Sequence, residues 1–120
     1  HGATQACVNA GGDLRACGAR AQRVAERSAD DVVRNAVELT DAALATSTSA
    51  GARHLHGASK LALDAGRTVS VAAPTCIVAD ALTKVVLATG ASARAALCAF
   101  DAQAWMHDSR HGWQSLRLAA

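Results

Sequence analysis

The chain has 120 residues, 51% of them hydrophobic and only 2% aromatic, with 12 basic and 10 acidic side chains for a formal net charge of +2. That length suits one compact domain spanning 1–120, filled with Ala, Val and Leu rather than with large rings. The dispersed arginines give no electrostatic footprint for nucleic acid, no run approaches the length of a membrane span, and no basic-then-apolar leader is present.

Thr4 to Asn9 can form a strand, Ala10-Gly11-Gly12-Asp13 a tight turn, and Leu14 to Cys17 a returning strand. Arg20 to Ala25 gives a weaker third. Ser28-Ala29-Asp30-Asp31 resembles a helix start, whereas Val37-Glu38-Leu39 alternates like a strand. The reading is a loop or short helical turn, then a hairpin from Asn35 to Thr46 turning at Thr40-Asp41. Thr46 to Ser59 is small, polar and glycine-punctuated, which predicts an exposed loop.

Thr68, Val69 and Val71 favour a strand that Pro74 ends, and Thr75 can cap the turn after it. From Cys76 the period changes, with Val78, Leu82, Val85, Val86 and Thr89 at helical spacing and Gly90 at a left-handed C-cap. Ser92 to Ala99 supports a second helix. Ala104 to His107 and Gly112 to Leu118 predict a closing hairpin, packed by Trp105, Met106 and Trp113. The fold class implied is α/β (α+β), a mixed sheet with two helices packed on it.

Cys7, Cys17, Cys76 and Cys98 lack the spacing of a zinc site and read as small buried hydrophobes, with disulfide pairing left open. His1 marks a processed product or a fragment. The Asn9–Asp13 turn could let backbone N–H groups approach a phosphate, although a plain hairpin turn has the same composition. Asp80 could hold Mg²⁺ with Thr83, or form a solvated i,i+4 pair with Lys84. His54 and His56 could act as a base or bind a metal, against the bland reading of two exposed loop histidines. A hydrolase elbow, a Walker loop and a dinucleotide fingerprint are absent.

Taken together, Val8-Asn9-Ala10-Gly11-Gly12-Asp13-Leu14, Ala45-Thr46-Ser47 and the Val69–Gly90 stretch containing Ala73-Pro74-Thr75 and Ala79-Asp80-Ala81-Leu82 resemble the flavin transferases of the ApbE type. These are FAD:protein FMN transferases. The resemblance implies the C-terminal part of that family's domain, with FAD as substrate, Mg²⁺ as cofactor, and transfer of FMN to a Thr or Ser hydroxyl of an acceptor protein. It places Asn9, Gly11, Gly12, Asp13 and Thr75 beside the flavin nucleotide, Asp80 and Thr83 at the metal, and His56 in the catalytic loop. After His56 the chain reads Gly57-Ala58-Ser59-Lys60 in place of the family's Asp-Pro and Thr-Gly. Lys84 stands where the family has a threonine four residues after its aspartate, and the family's N-terminal D-x-G-G-x-x-K-G segment is absent. The expectation is therefore a transferase impaired in isolation, with a non-catalytic flavin-binding or protein-interaction module as the alternative. A cell-envelope or periplasmic setting is implied by the resemblance, a cytoplasmic one is also allowed, and an uncovered apolar face would permit a homodimer.

Overall fold

The computed structural model describes residues 2–27, 31, 33–49 and 66–116. Six strands form one sheet and two form another. In chain order these are β1 (Ala6–Ala10), β2 (Asp13–Cys17), β3 (Gln22–Arg27), β4 (Val33–Leu39), β5 (Ala43–Thr48), β6 (Thr68–Ala73), β7 (Gln103–Asp108) and β8 (Gly112–Ser115). The large sheet runs β1-β2-β5-β6-β7-β8, and β3 pairs with β4. Between β6 and β7 lie α1 (Cys76–Thr89), a 3-10 turn at Gly90–Ala93 and α2 (Arg94–Ala99). The expected class, helices packed on a sheet, is what the chain adopts. Every described pairing is antiparallel, a finer point than the expected mixed sheet.

The layers follow from side-chain alternation. Ala43 and Ala45 on β5, Val69, Val71 and Ala73 on β6, and Ala104 on β7 face α1, which answers with Ala79, Leu82, Val86 and Leu87. Small residues on both sides bring helix and sheet close, and each fully buried Val or Leu adds about 1.5–3 kcal/mol. On the other face Leu14, Ala16 and Leu44 meet Val37 and Leu39 of β4, with Val24, Ala72 and Trp105 partly buried beside them. The small two-stranded sheet therefore covers the face that the helices leave.

That second layer replaces the predicted Asn35–Thr46 hairpin. Gln22 pairs with Leu39 across β3 and β4, while Ala43 pairs with Arg15 on one side and Ala73 on the other. The Thr40-Asp41 corner is a change of layer. Asp41 takes a positive φ of 45°, which aspartate tolerates, and its carboxylate is held by Arg15 at 2.9 Å. Of the predicted helix start at Ser28–Asp31, residues 28–30 lie outside the described residues, and Asp31 takes a positive φ of 65°, outside the right-handed helical region.

The first part of the predicted Thr46–Ser59 loop is strand, because Thr46, Ser47 and Thr48 belong to β5, and residues 50–59 lie outside the described residues. Their hydroxyls are satisfied across strands and layers: Thr46 with Ser70 at 2.9 Å, Ser47 with Thr83 at 2.8 Å, and Thr48 donating to the Arg67 carbonyl at 3.1 Å. Thr75 occupies the N-cap position of α1 but makes no side-chain cap bond. Gly90 has the expected positive φ (56°) with ψ −130°, outside the left-handed helical region, so the chain passes into the 3-10 turn instead of stopping. As a result Cys76–Ala99 is helical over 24 residues and, by length and composition alone, apolar enough to cross a membrane. The expectation that no run approaches that length is corrected; α1 packs along the sheet through one face, as core helices with this composition do.

The cysteine expectation is corrected too. Cys7, Cys17 and Cys98 are exposed, Cys76 is half-buried, and all four are free. Cys7 pairs with Ala16 and Cys17 with Ala6, so the two face opposite sides of the β1–β2 ribbon and cannot join each other.

The β7–β8 hairpin forms as predicted, with the His107 and Trp113 rings 5.3 Å apart. Asp108 Oδ1 accepts the backbone N–H groups of His111 (2.7 Å) and Arg110 (2.8 Å) and lies 3.0 Å from His111 Nδ1. The His111 backbone N–H, then its side chain, hold this carboxyl below its ordinary value. A carboxyl lowered on folding gives its stabilisation in full above the ordinary carboxylate range and loses it as pH falls through the lowered value. An acid titration followed at the His111 amide should thus show the turn loosening only below the ordinary aspartate midpoint, and Asp108→Asn should abolish that step. A midpoint above the ordinary value would contradict it.

Candidate functional site

The Asn9–Asp13 turn closes β1 on β2 because two successive residues there need positive φ, Gly11 at 69° and Gly12 at 106°. The Asn9 side-chain oxygen accepts the Gly12 N–H at 3.0 Å and fixes the turn. Asn9, Gly11 and Gly12 are exposed and Asp13 is half-buried. No atom lies within 4 Å of where a Cβ would stand on either glycine, so the peptide planes of the turn are open to an incoming group.

Pairing of Leu14 with Leu44 and Arg15 with Ala43 sends the turn along β5 in the direction of Thr46–Thr48. The start of α1 abuts its root, with the Cys76 thiol 3.8 Å from the Leu14 carbonyl. One turn further on, the helix brings Asp80, Thr83 and Lys84 over Ser47. Turn, helix start and acid therefore lie along one side of the sheet's helical face. Thr75 is exposed at the helix start.

Around Asp80 four residues form a closed chain of hydrogen bonds. The Thr83 hydroxyl donates to the Asp80 carbonyl at 2.7 Å. Having one proton, it must then accept from Ser47 across 2.8 Å. Ser47 in turn accepts from the Lys84 ammonium at 3.0 Å, and the same ammonium donates to Asp80 Oδ1. The Asp80 and Lys84 side chains are 48% and 51% exposed, so as an ion pair they add only about 0.3–0.5 kcal/mol. The solvated i,i+4 pair is the reading the geometry favours. Ser47, named in the sequence only as part of the Ala45-Thr46-Ser47 stretch, is the member not expected at the site; its signal was the outward–inward alternation of β5, hidden by a run of four hydroxyl residues, Thr46 to Ser49.

Magnesium requires close octahedral oxygen ligation, with one or two carboxylates. Here the only carboxylate of the cluster is met by an ammonium, which has charge but no lone pair to give. Thr83 is fully buried, with one bond given and one received. Among the described residues no group of three or more His, Cys, Asp or Glu could hold a metal ion. Asp80 and Thr83, as folded, do not fit the ion expected of them.

His54 and His56 lie outside the described residues. The chain leaves the described part at Ser49 and re-enters it at Gly66, where Ser49 N bonds Arg67 O (2.8 Å) and Arg67 N bonds Ser49 Oγ (3.0 Å), two residues beyond Ser47. A cleft of roughly 550 Å³ opens elsewhere, between β4 and the second face of the sheet, bordered by Glu38, Leu39, Asp41, Pro74 and Trp105. None of the predicted site residues that are described lines it.

Residues 1–106 match the family model described as the ApbE family. No curated protein and no solved structure matches the chain.

Proposed function

The chain belongs to the ApbE family, and from that premise we propose that it serves FAD:protein FMN transfer, holding the flavin nucleotide along the side of the sheet lined by the Asn9–Asp13 turn and α1. Membership supports flavin-transferase chemistry in general, with FAD as substrate and a protein as acceptor. The observation that carries the finer reading is that one family match spans both the turn and the helix, which the β2–β5 register sets along the same side of the sheet.

In the proposed reaction the oxygen of an acceptor Thr or Ser attacks the FMN phosphorus of FAD. A new P–O bond forms, the pyrophosphate P–O bond breaks, and AMP leaves. Positioning and charge stabilisation carry most of such a transfer. Gly11 and Gly12 would admit the nucleotide close to the backbone, with Asn9 keeping the turn in shape, Asp13 oriented beside it and Thr75 at the helix start. His56 is proposed as the base that takes the hydroxyl proton. A flavin-binding module without transfer is the second reading, favoured by the Asp80–Lys84 pair.

A fluorescence titration with FAD tests the proposal. The 120-residue chain should quench flavin emission saturably, and Asn9→Ala should weaken binding about 2–10-fold, the worth of about 0.5–1.5 kcal/mol for one net hydrogen bond. Absence of saturable quenching would sink the proposal. Release of AMP on adding a Thr-containing acceptor separates the transferase from the module.

A further inference from the structure

We infer that the Lys84 ammonium takes the place of a divalent cation beside Asp80, so that this side of the fold meets an anionic pyrophosphate with a covalently attached charge and without magnesium. The inference rests on the flavin reading for the identity of the anion, and on geometry for the exchange itself.

Lys84 comes four residues after Asp80, about 40° past a full turn, so both side chains leave the same face of α1. The ammonium then does what a bridging metal would do mechanically. It joins a helix carboxylate to a strand hydroxyl, Asp80 to Ser47, and through Ser47 reaches the buried Thr83. Each hydroxyl in the cluster is left with its proton spent inward, on Thr83 and on the Asp80 carbonyl. Asp80 Oδ1 and the Ser47 oxygen, which could otherwise face a cation, both accept from the ammonium. An ammonium has three N–H donors, and two are used here; the third, on a half-exposed side chain, remains for an incoming anion.

Charge arithmetic sets the consequence. Asp80 with Lys84 sums to zero, whereas Asp80 with a divalent cation would sum to +1, so attraction for a pyrophosphate is weaker but independent of metal concentration. A magnesium ion held by Asp80 Oδ1 and Ser47 would have to displace the lysine from both of its hydrogen bonds. Substituting Lys84 by threonine removes the ammonium, frees the Asp80 carboxylate, and puts a hydroxyl one turn from it. Substituting it by methionine removes the charge and supplies no oxygen.

Thermal melts of the 120-residue chain, Lys84→Thr and Lys84→Met, in EDTA and across a magnesium titration without flavin, test the exchange. The unsubstituted chain and Lys84→Met should show no magnesium-dependent shift in Tm, and Lys84→Thr should show a saturable rise. A saturable rise in the unsubstituted chain, or no rise in Lys84→Thr, would overturn the inference. In EDTA, FAD binding should persist in the unsubstituted chain and fall at least tenfold in Lys84→Met; equal affinity would overturn it as well. Failure of FAD to bind at all, with the magnesium pattern as expected, would remove the flavin reading and leave lysine-for-metal exchange standing.

Discussion

Replacing Leu87 with alanine should cost about 2–5 kcal/mol, out of the roughly 5–15 kcal/mol that separate a folded domain from its unfolded chain. Leu87 is 2% exposed and sits in the larger of the two apolar clusters, where α1 meets the sheet. Its neighbours there are mostly Ala and Val, short side chains that reach little distance into the cavity a deleted isobutyl group would leave. The loss should therefore fall toward the upper part of that range. In urea the unfolding midpoint should drop with the slope m unchanged, since the surface exposed on unfolding is nearly the same. A loss below about 1 kcal/mol would mean that α1 is not packed on the sheet as described.

The second large effect is expected from adding volume. Ala45 is fully buried on β5, on the face toward α1 and two residues before Ser47. Ala45→Leu should destabilise by about 1–3 kcal/mol, because a helix and sheet brought together by small residues have no room for three more carbons. The strain has a local readout. Lifting α1 would stretch the 2.8 Å contact between Ser47 and Thr83, so amide exchange across Ala79–Lys84 should accelerate more than exchange in β7. Uniform acceleration across both elements would show that the substitution destabilises the whole domain without moving the helix.

Much of this architecture is legible in the residues. Thr68–Ala73 is β-branched and apolar, Pro74 breaks the ladder, and the period then changes to that of a helix; each local preference agrees with the tertiary outcome. The β1–β2 and β7–β8 turns announce themselves by glycine pairs and by an aspartate that receives two backbone N–H groups. The Thr40-Asp41 corner was illegible because a change of layer and a hairpin turn use the same residues. What decides between them is where Val37 and Leu39 are buried, a long-range fact. Thr46–Thr48 was illegible for a related reason. Three hydroxyl residues look solvated until partners from β6, α1 and Arg67 are known.

The candidate site divides in the same way. Asp80, Lys84 and the glycine turn could be named from the sequence, since spacing alone puts a lysine one turn beyond an aspartate. That Lys84 also reaches Ser47 could not, because the bond crosses between elements 37 residues apart. This bond turns an ordinary surface ion pair into a link between helix and sheet.

A fluorescence titration of the 120-residue chain with FAD, run once in EDTA and once in excess magnesium, tests most directly whether this member of the ApbE family holds a flavin nucleotide with lysine in place of metal. Saturable quenching with the same Kd in both buffers is the predicted result. Binding that appears only with magnesium, or no saturable binding in either buffer, would contradict it.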